Sequence, residues 1–205
     1  MSSAGKTLDQ RVARGEATRG QILEAARDIL RAKGYAGMTN RAVAEHAGVQ
    51  LSLVHYHFGA KRQLLAAVLE FENEQLLARQ RELYAAPGPL AEKWLTACAY
   101  LGEDLRSGYV RTLWELWAAG LADDELALRW RDAARGWRRL LESVATRWAE
   151  ENGVDLPLPP RALATLVQNA FHGAEVEILA GVSEEEAPHY AALEAVAELI
   201  ARHER

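Results

Sequence analysis

A chain of 205 residues with 49% hydrophobic and 26% charged content has the composition of an ordinary soluble globular protein, long enough for one large core or two small domains. A single cysteine, Cys98, excludes a disulfide framework and a multi-cysteine metal site within one chain, and the lack of a leader pattern or a span-length apolar run predicts a cytoplasmic protein. The net charge of −5 hides an asymmetry: Met1 to Arg62 carries ten Lys and Arg against five Asp and Glu, the remainder fourteen against twenty-four, so a basic third precedes an acidic body.

Residues 1–17 are small, polar and basic, with Lys6, Arg11 and Arg14 spread along them and Arg19 just beyond. They read as a flexible arm, either lying on phosphates or serving as a solubilising tail. Thr18 with Gln21 three residues on is a capping-box pattern that starts the first helix. Ile22, Leu23, Ala26 and Leu30 continue it at helical spacing, and Gly34 stops it after Lys33. Two short periodic segments follow, Arg41 to His46 and Leu51 to Phe58. Between them Ala47 is small enough for a close crossing, Gly48 can take positive φ and Val49 plugs the corner. This is a helix-turn-helix by spacing and chemistry, and it predicts a DNA-binding domain over 18–62.

Lys61 opens a long helix to about Leu83, with Leu64, Leu65, Val68, Leu69, Leu76 and Leu77 on its apolar side; Gly88 and the prolines around it break it. The body, 63–205, then reads as helices and no strands. They run over about Leu90 to Arg106, Tyr109 to Leu121, Asp124 to Glu151, Arg161 to Leu179 and Pro188 to His203, punctuated by Gly108, Gly120, Gly153 and Gly181. The fold class is all-α.

The stretch Thr39 to Lys61, TNRAVAEHAGVQLSLVHYHFGAK, is similar to the DNA-binding domain of the TetR family of bacterial repressors. The shared elements are Thr39 opening the second helix, Ala47-Gly48-Val49, the run His55-Tyr56-His57-Phe58, a short turn and Lys61. Motif-level likeness covers Thr18 to Leu65, and beyond it only the helical layout matches. Gln50, His55 and Ala60 depart from the serine, tyrosine and serine that the family favours, which bears on two helix caps and one phosphate contact. The resemblance implies a three-helix head joined by a linker helix to a ligand-binding and dimerisation body, about nine helices in all. It further implies a homodimeric repressor released from a pseudo-palindromic operator by a small-molecule effector, not an enzyme, with no cofactor.

At about 100° per residue, Val54 and Phe58 point into the head while Ser52, Leu53 and Tyr56 point away, flanked by Leu51 and His55. Two leucines and a tyrosine facing solvent make sense in a major groove, where leucine meets thymine methyls and Ser52 a base edge. Arg41 is the candidate for pairing with guanine, while Thr39 and Lys61, at helix N-termini, are candidate phosphate anchors. Asn40, Gln50 and His57 complete the expected DNA-contacting set. His55 and His57, two apart on a helix, diverge by roughly 200° and cannot chelate one metal ion.

The two carboxy-terminal helices carry broad apolar faces: Leu163, Val167, Phe171, Ala174 and Ile178 on one, Tyr190, Leu193, Val196 and Ile200 on the other. They are read as the homodimer surface, paired as a four-helix bundle. All six tryptophans fall in the three middle helices, and aromatic walls suit a small-molecule pocket. Trp94, Trp114, Trp117 and Trp137, together with Cys98, Asn169 and His172, are the expected pocket residues; Glu175 adds a further polar group to the same helix. Two other readings stand beside this one. A helical binding protein or enzyme with a degenerate head finds no nucleophile–base pair or phosphate loop in support. A non-specific DNA binder is disfavoured by the acidic body.

Overall fold

The computed structural model describes residues 3–204, with side chains from Gln10 onward. Among the described residues there are nine α-helices and no strand: α1 (Ser3–Gly37), α2 (Asn40–Ala47), α3 (Leu51–Phe58), α4 (Lys61–Ala85), α5 (Leu90–Arg106), α6 (Tyr109–Gly120), α7 (Asp124–Asn152), α8 (Pro160–Leu179) and α9 (His189–Ala201).

The expected start of the first helix at Thr18 is corrected. Helix α1 already runs from Ser3, so most of the segment read as a flexible arm is helical; Met1, Ser2 and the Lys6 side chain lie outside what is described. Leu8 to Glu16 is built almost wholly of fair helix formers with no proline, and nothing there breaks the helix. Thr18 does not cap: its hydroxyl donates to the Arg14 carbonyl at 3.0 Å, the back-bonded form of a threonine within a helix. Gly34 does interrupt the helix, with φ 68° and ψ −176°, before one further turn to Gly37. A side chain there would also crowd the Glu115 carboxylate, 3.0 Å from the position of its Cβ.

The main core joins α1 to α4. Ile22, Ala26 and Leu30 pack with Met38, Val43, Val54, Phe58, Leu64 and Leu69, each large side chain contributing on the order of 2 kcal/mol by burial. Leu116 of α6 and Leu126 of α7 enter the same cluster, so the head shares its interior with the tip of the body. Polar ties reinforce the joint. Glu72 of α4 accepts from Arg27 at 2.7 Å and Arg31 at 3.1 Å, and Arg62 pairs with Glu125 at 3.0 Å. Asp123 caps α7 by accepting from the Glu125 and Leu126 amides.

A second core lies between α5, α8 and α9, around Trp94, Cys98, Leu101, Ala174, Leu193 and Ala197. It takes in much of the expected dimer stripe. Ala174 and Leu193 are buried in it, Val167, Phe171, Ile178, Tyr190, Val196 and Ile200 pack against it, and Leu163 is half-buried. Helix α8 is apolar or small-residued on nearly every side, and packing on α5 and α9 decides which row turns inward. The row left outside carries Leu166 (55% exposed), Ala170, Gly173 and Val176 (44% exposed), with Leu199 (56% exposed) on α9.

Candidate functional site

Helices α2 and α3 meet at the predicted turn, where Gly48 has φ 65° and its amide reaches back to the Ala44 and Glu45 carbonyls. Thr39 caps α2, its hydroxyl oxygen accepting from the Ala42 amide at 3.1 Å while its own O–H stays available. Gln50 and Ala60, which replace serines of the family pattern, start α3 and α4 without any side-chain cap. On α3, Val54 and Phe58 are buried, as their spacing predicts. Leu51 (41%), Leu53 (38%) and Tyr56 (81%) are exposed side by side with Ser52. No internal neighbour covers this apolar surface. Arg41 stands beside it, 83% exposed, with only a surface pairing to Glu45 at 3.2 Å that a stronger partner can displace.

Three residues expected to face outward have internal work. Asn40 Nδ2 donates to the Gly59 carbonyl at 3.1 Å, tying the start of α2 to the end of α3. His55 Nδ1 also meets that carbonyl, at 3.0 Å; a carbonyl only accepts, so Nδ1 carries the proton and Nε2 is the free nitrogen. Lys61 Nζ donates to the Tyr35 carbonyl at 2.9 Å and sits 4.2 Å above the Tyr35 ring; partial burial lowers its pKa. His57 is half-buried against the Tyr56 ring edge. The Asn40 and Lys61 bonds depend on tertiary contacts that spacing along one helix does not reveal, whereas the His55 bond is local to the end of α3.

In the body, a cavity of about 80 Å³ lies between α4, α5, α6, α7 and α8. Its apolar wall combines aliphatic side chains with the rings of Tyr84, Tyr100, Tyr109, Trp130, Trp137 and Phe171, and its polar residues are Asn73, Gln80, Asp104, Gln168, His172 and Glu175. Of the expected pocket residues, Trp137 and His172 line it. Trp114 stands behind the wall, its indole N–H donating to Glu175 at 3.0 Å and its ring 5.3 Å from that of His172. Trp117 packs on Trp114 at 5.3 Å and on Trp130 at 6.2 Å. Trp94 is turned the other way, donating to the Leu193 carbonyl at 2.6 Å. Cys98 is buried in the second core, where burial, with the charge of Glu194, pushes its thiol up to about 11 and keeps it protonated. Asn169 faces solvent.

Sequence reasoning missed Gln80, a polar residue on the apolar side of a long helix, and left Glu175 out of the pocket set. The signal for Glu175 was its spacing three residues from His172, which puts both on one face. Burial is the main influence on each. It raises Glu175 to about 7, against the opposing hydrogen bond from Trp114, and lowers His172 to about 4, helped by the charge of Arg138. Asp104 is paired with Arg79, whose guanidinium also lies 4.2 Å over the Tyr100 ring. Gln80 is 4% exposed, and its Oε1 has no hydrogen-bond partner.

One helix reaches both regions. On α6, Trp114 holds Glu175 at the cavity, and the next residue, Glu115, accepts the Tyr35 amide at the end of α1.

Residues 22–68 match the family described as bacterial regulatory proteins, tetR family. Over 72 residues, 35% of this chain, it is 39% identical to the HTH-type transcriptional regulator CymR of Pseudomonas putida and covers 36% of that protein. The chain thus covers only about a third of the length of the curated relatives it matches. The similarity in fold is wider. A TetR transcription regulator from Haloarcula marismortui superposes with a TM-score of 0.75 at 19% identity, over 90% of this chain and 98% of that one. FadR from Bacillus subtilis, in complex with stearoyl-CoA, does so with a TM-score of 0.69 at 17% identity, over 90% and 98%. With its helix-turn-helix matched in sequence over residues 22–68 and its nine-helix architecture shared in fold along nearly the whole length, the chain carries a DNA-binding domain of the tetR family on a fold like that of TetR-family regulators.

Proposed function

We propose that the protein is a homodimeric, sequence-specific repressor that leaves a pseudo-palindromic operator when a small-molecule effector occupies the cavity. The observation that carries this reading is the open face of α3: Leu51, Ser52, Leu53 and Tyr56 exposed together beside Arg41. In a major groove the leucines cover thymine methyls, Ser52 bonds a base edge and Arg41 pairs with guanine. The free O–H of Thr39 and the remaining protons of Lys61 reach phosphates.

Dimerisation falls to the outer row of α8 and α9, Leu166, Ala170, Gly173, Val176 and Leu199, in place of the inward stripe. Small residues at its centre let two copies of α8 approach closely across a two-fold axis. The effector acts through α6. A molecule that displaces Trp114 from Glu175 also moves Glu115, and with it the end of α1 and the spacing of the two heads. That FadR, of the same fold, holds stearoyl-CoA supports a ligand-carrying body.

An electrophoretic shift on the DNA upstream of its own gene tests the proposal. Saturable, salt-sensitive binding is expected, weakened about tenfold or more by Arg41→Ala. No shift, or an Arg41→Ala protein equal to wild type, sinks it.

A further inference from the structure

We infer that the cavity is made for a small organic cation, an ammonium group on an aromatic or alkyl body, because the unpartnered Gln80 Oε1 and the Glu175 carboxyl both accept hydrogen bonds beside a set of aromatic rings. The inference rests on the effector reading above and adds the chemical class. Gln80 Oε1, on a side chain 4% exposed, lines the cavity without a partner. Glu175 has one neutral donor, the Trp114 indole, and no cation beside it. A buried acceptor without a donor is costly, so an occupant that brings N–H groups to this wall is favoured.

Electrostatics narrows the class further. The cations nearest the cavity are Arg79, neutralised by Asp104, and Arg138, which donates to the neutral Gln168 side-chain oxygen Oε1 at 3.2 Å. Neither arginine is among the lining residues, and no lysine is. A carboxylate or phosphate would therefore meet Glu175 and Asp104 with no cation in the wall to contact it. A neutral apolar molecule would leave Gln80 Oε1 unpaired. An ammonium group instead donates to Gln80 and Glu175 while the rings of Trp130, Trp137 and Phe171 take up its body and its charge. About 80 Å³ has room for a head group and a short body, since one water needs roughly 10–15 Å³ on this measure.

The groups around Glu175 set the pH behaviour. Acting on it are the Trp114 indole and Tyr109 from α6 and Asp104 from α5, itself paired with Arg79 of α4 and within reach of Glu72, while His172, on its own helix, feels Arg138 of α7. Burial keeps its carboxyl at about 7 in the empty protein. A bound ammonium stabilises the carboxylate, so binding releases a proton and tightens as pH rises through that value.

Calorimetric titration of the full-length protein with phenethylammonium, phenethyl alcohol and phenylacetate in mildly alkaline buffer tests the inference. The ammonium should bind about tenfold or more tightly than the alcohol, as a charged hydrogen bond allows, and phenylacetate not measurably. Glu175→Gln should remove that advantage, and Gln80→Leu reduce it, with thermal melts confirming that both variants fold. Phenylacetate binding as well as the ammonium, a preference that survives Glu175→Gln, or no binding by any of the three overturns it. A shift assay separates the two readings. Ammonium binding without operator release leaves the ligand class and removes the effector role; release by phenylacetate alone does the reverse.

Discussion

Two carboxylates sit inside this molecule under opposite arrangements. At the joint between α1 and α4, Glu72 is 6% exposed and gripped by Arg27 and Arg31 at 2.7 and 3.1 Å. In the cavity, Glu175 has only an indole N–H. Removing a charge from water is offset at the joint by full pairing. At the cavity it is avoided by holding the proton. Glu72 is thus held by two cations as folded, whereas Glu175 is held by one neutral donor. Strongly perturbed groups in a hollow mark function; satisfied ones between packed helices mark structure.

The largest test of this contrast is Glu72→Leu, which strands two half-buried arginines. Urea denaturation should show a loss of about 3–5 kcal/mol, and a loss under about 1 kcal/mol would erase the distinction. Next comes pH. Glu175 keeps its proton up to about 7 when folded, against an ordinary 4.5. Its contribution is therefore full below 4.5 and lost as pH rises through 7, on the order of 3 kcal/mol. His172 is opposite: held neutral down to about 4 against 6.5, it makes the fold stronger as pH climbs across that interval. The two slopes oppose between 4.5 and 6.5. Glu175→Gln should expose stability that rises with pH, and His172→Gln stability that falls; melts of both variants that are flat across the window contradict these assignments. Trp114→Phe removes the single donor to Glu175 and should cost about 1–2 kcal/mol by denaturation. The smallest effect is Gln80→Leu, which replaces an unpartnered acceptor and should leave stability within about 1 kcal/mol of wild type or raise it. A large loss there means that Gln80 is already satisfied.

The head was legible because its information is local. The spacing of Val54 and Phe58, the turn at Gly48 and the cap at Thr39 lie within a few residues of one another and leave one geometry open. The bounds of α5, α6 and α7 followed from Gly108, Gly120 and Asp123 for the same reason. What failed was orientation. Helix α8 presents Leu163, Val167 and Phe171 on one side and Leu166, Ala170 and Val176 on another, and periodicity alone cannot rank two apolar rows. Trp94 and Trp130 looked alike in sequence, yet one bonds the α9 backbone and the other borders a hollow, because the gap between α4, α7 and α8 is a property of packing. The internal bonds of Asn40 and Lys61 were hidden similarly: their partners, Gly59 and Tyr35, come from neighbouring elements.

The cluster of Trp114, Trp117 and Trp130, with ring centroids 5.3 to 6.4 Å apart, has an optical consequence. Indoles this close couple their ultraviolet transitions, and the sign and splitting of the resulting circular dichroism depend on their mutual angles. Trp130 borders the cavity, and Trp114 reaches its acid and sits next to the residue that touches α1. Rotation of either ring would change that band while the helical signal stays constant. The unlabelled protein therefore carries its own spectroscopic record of occupancy.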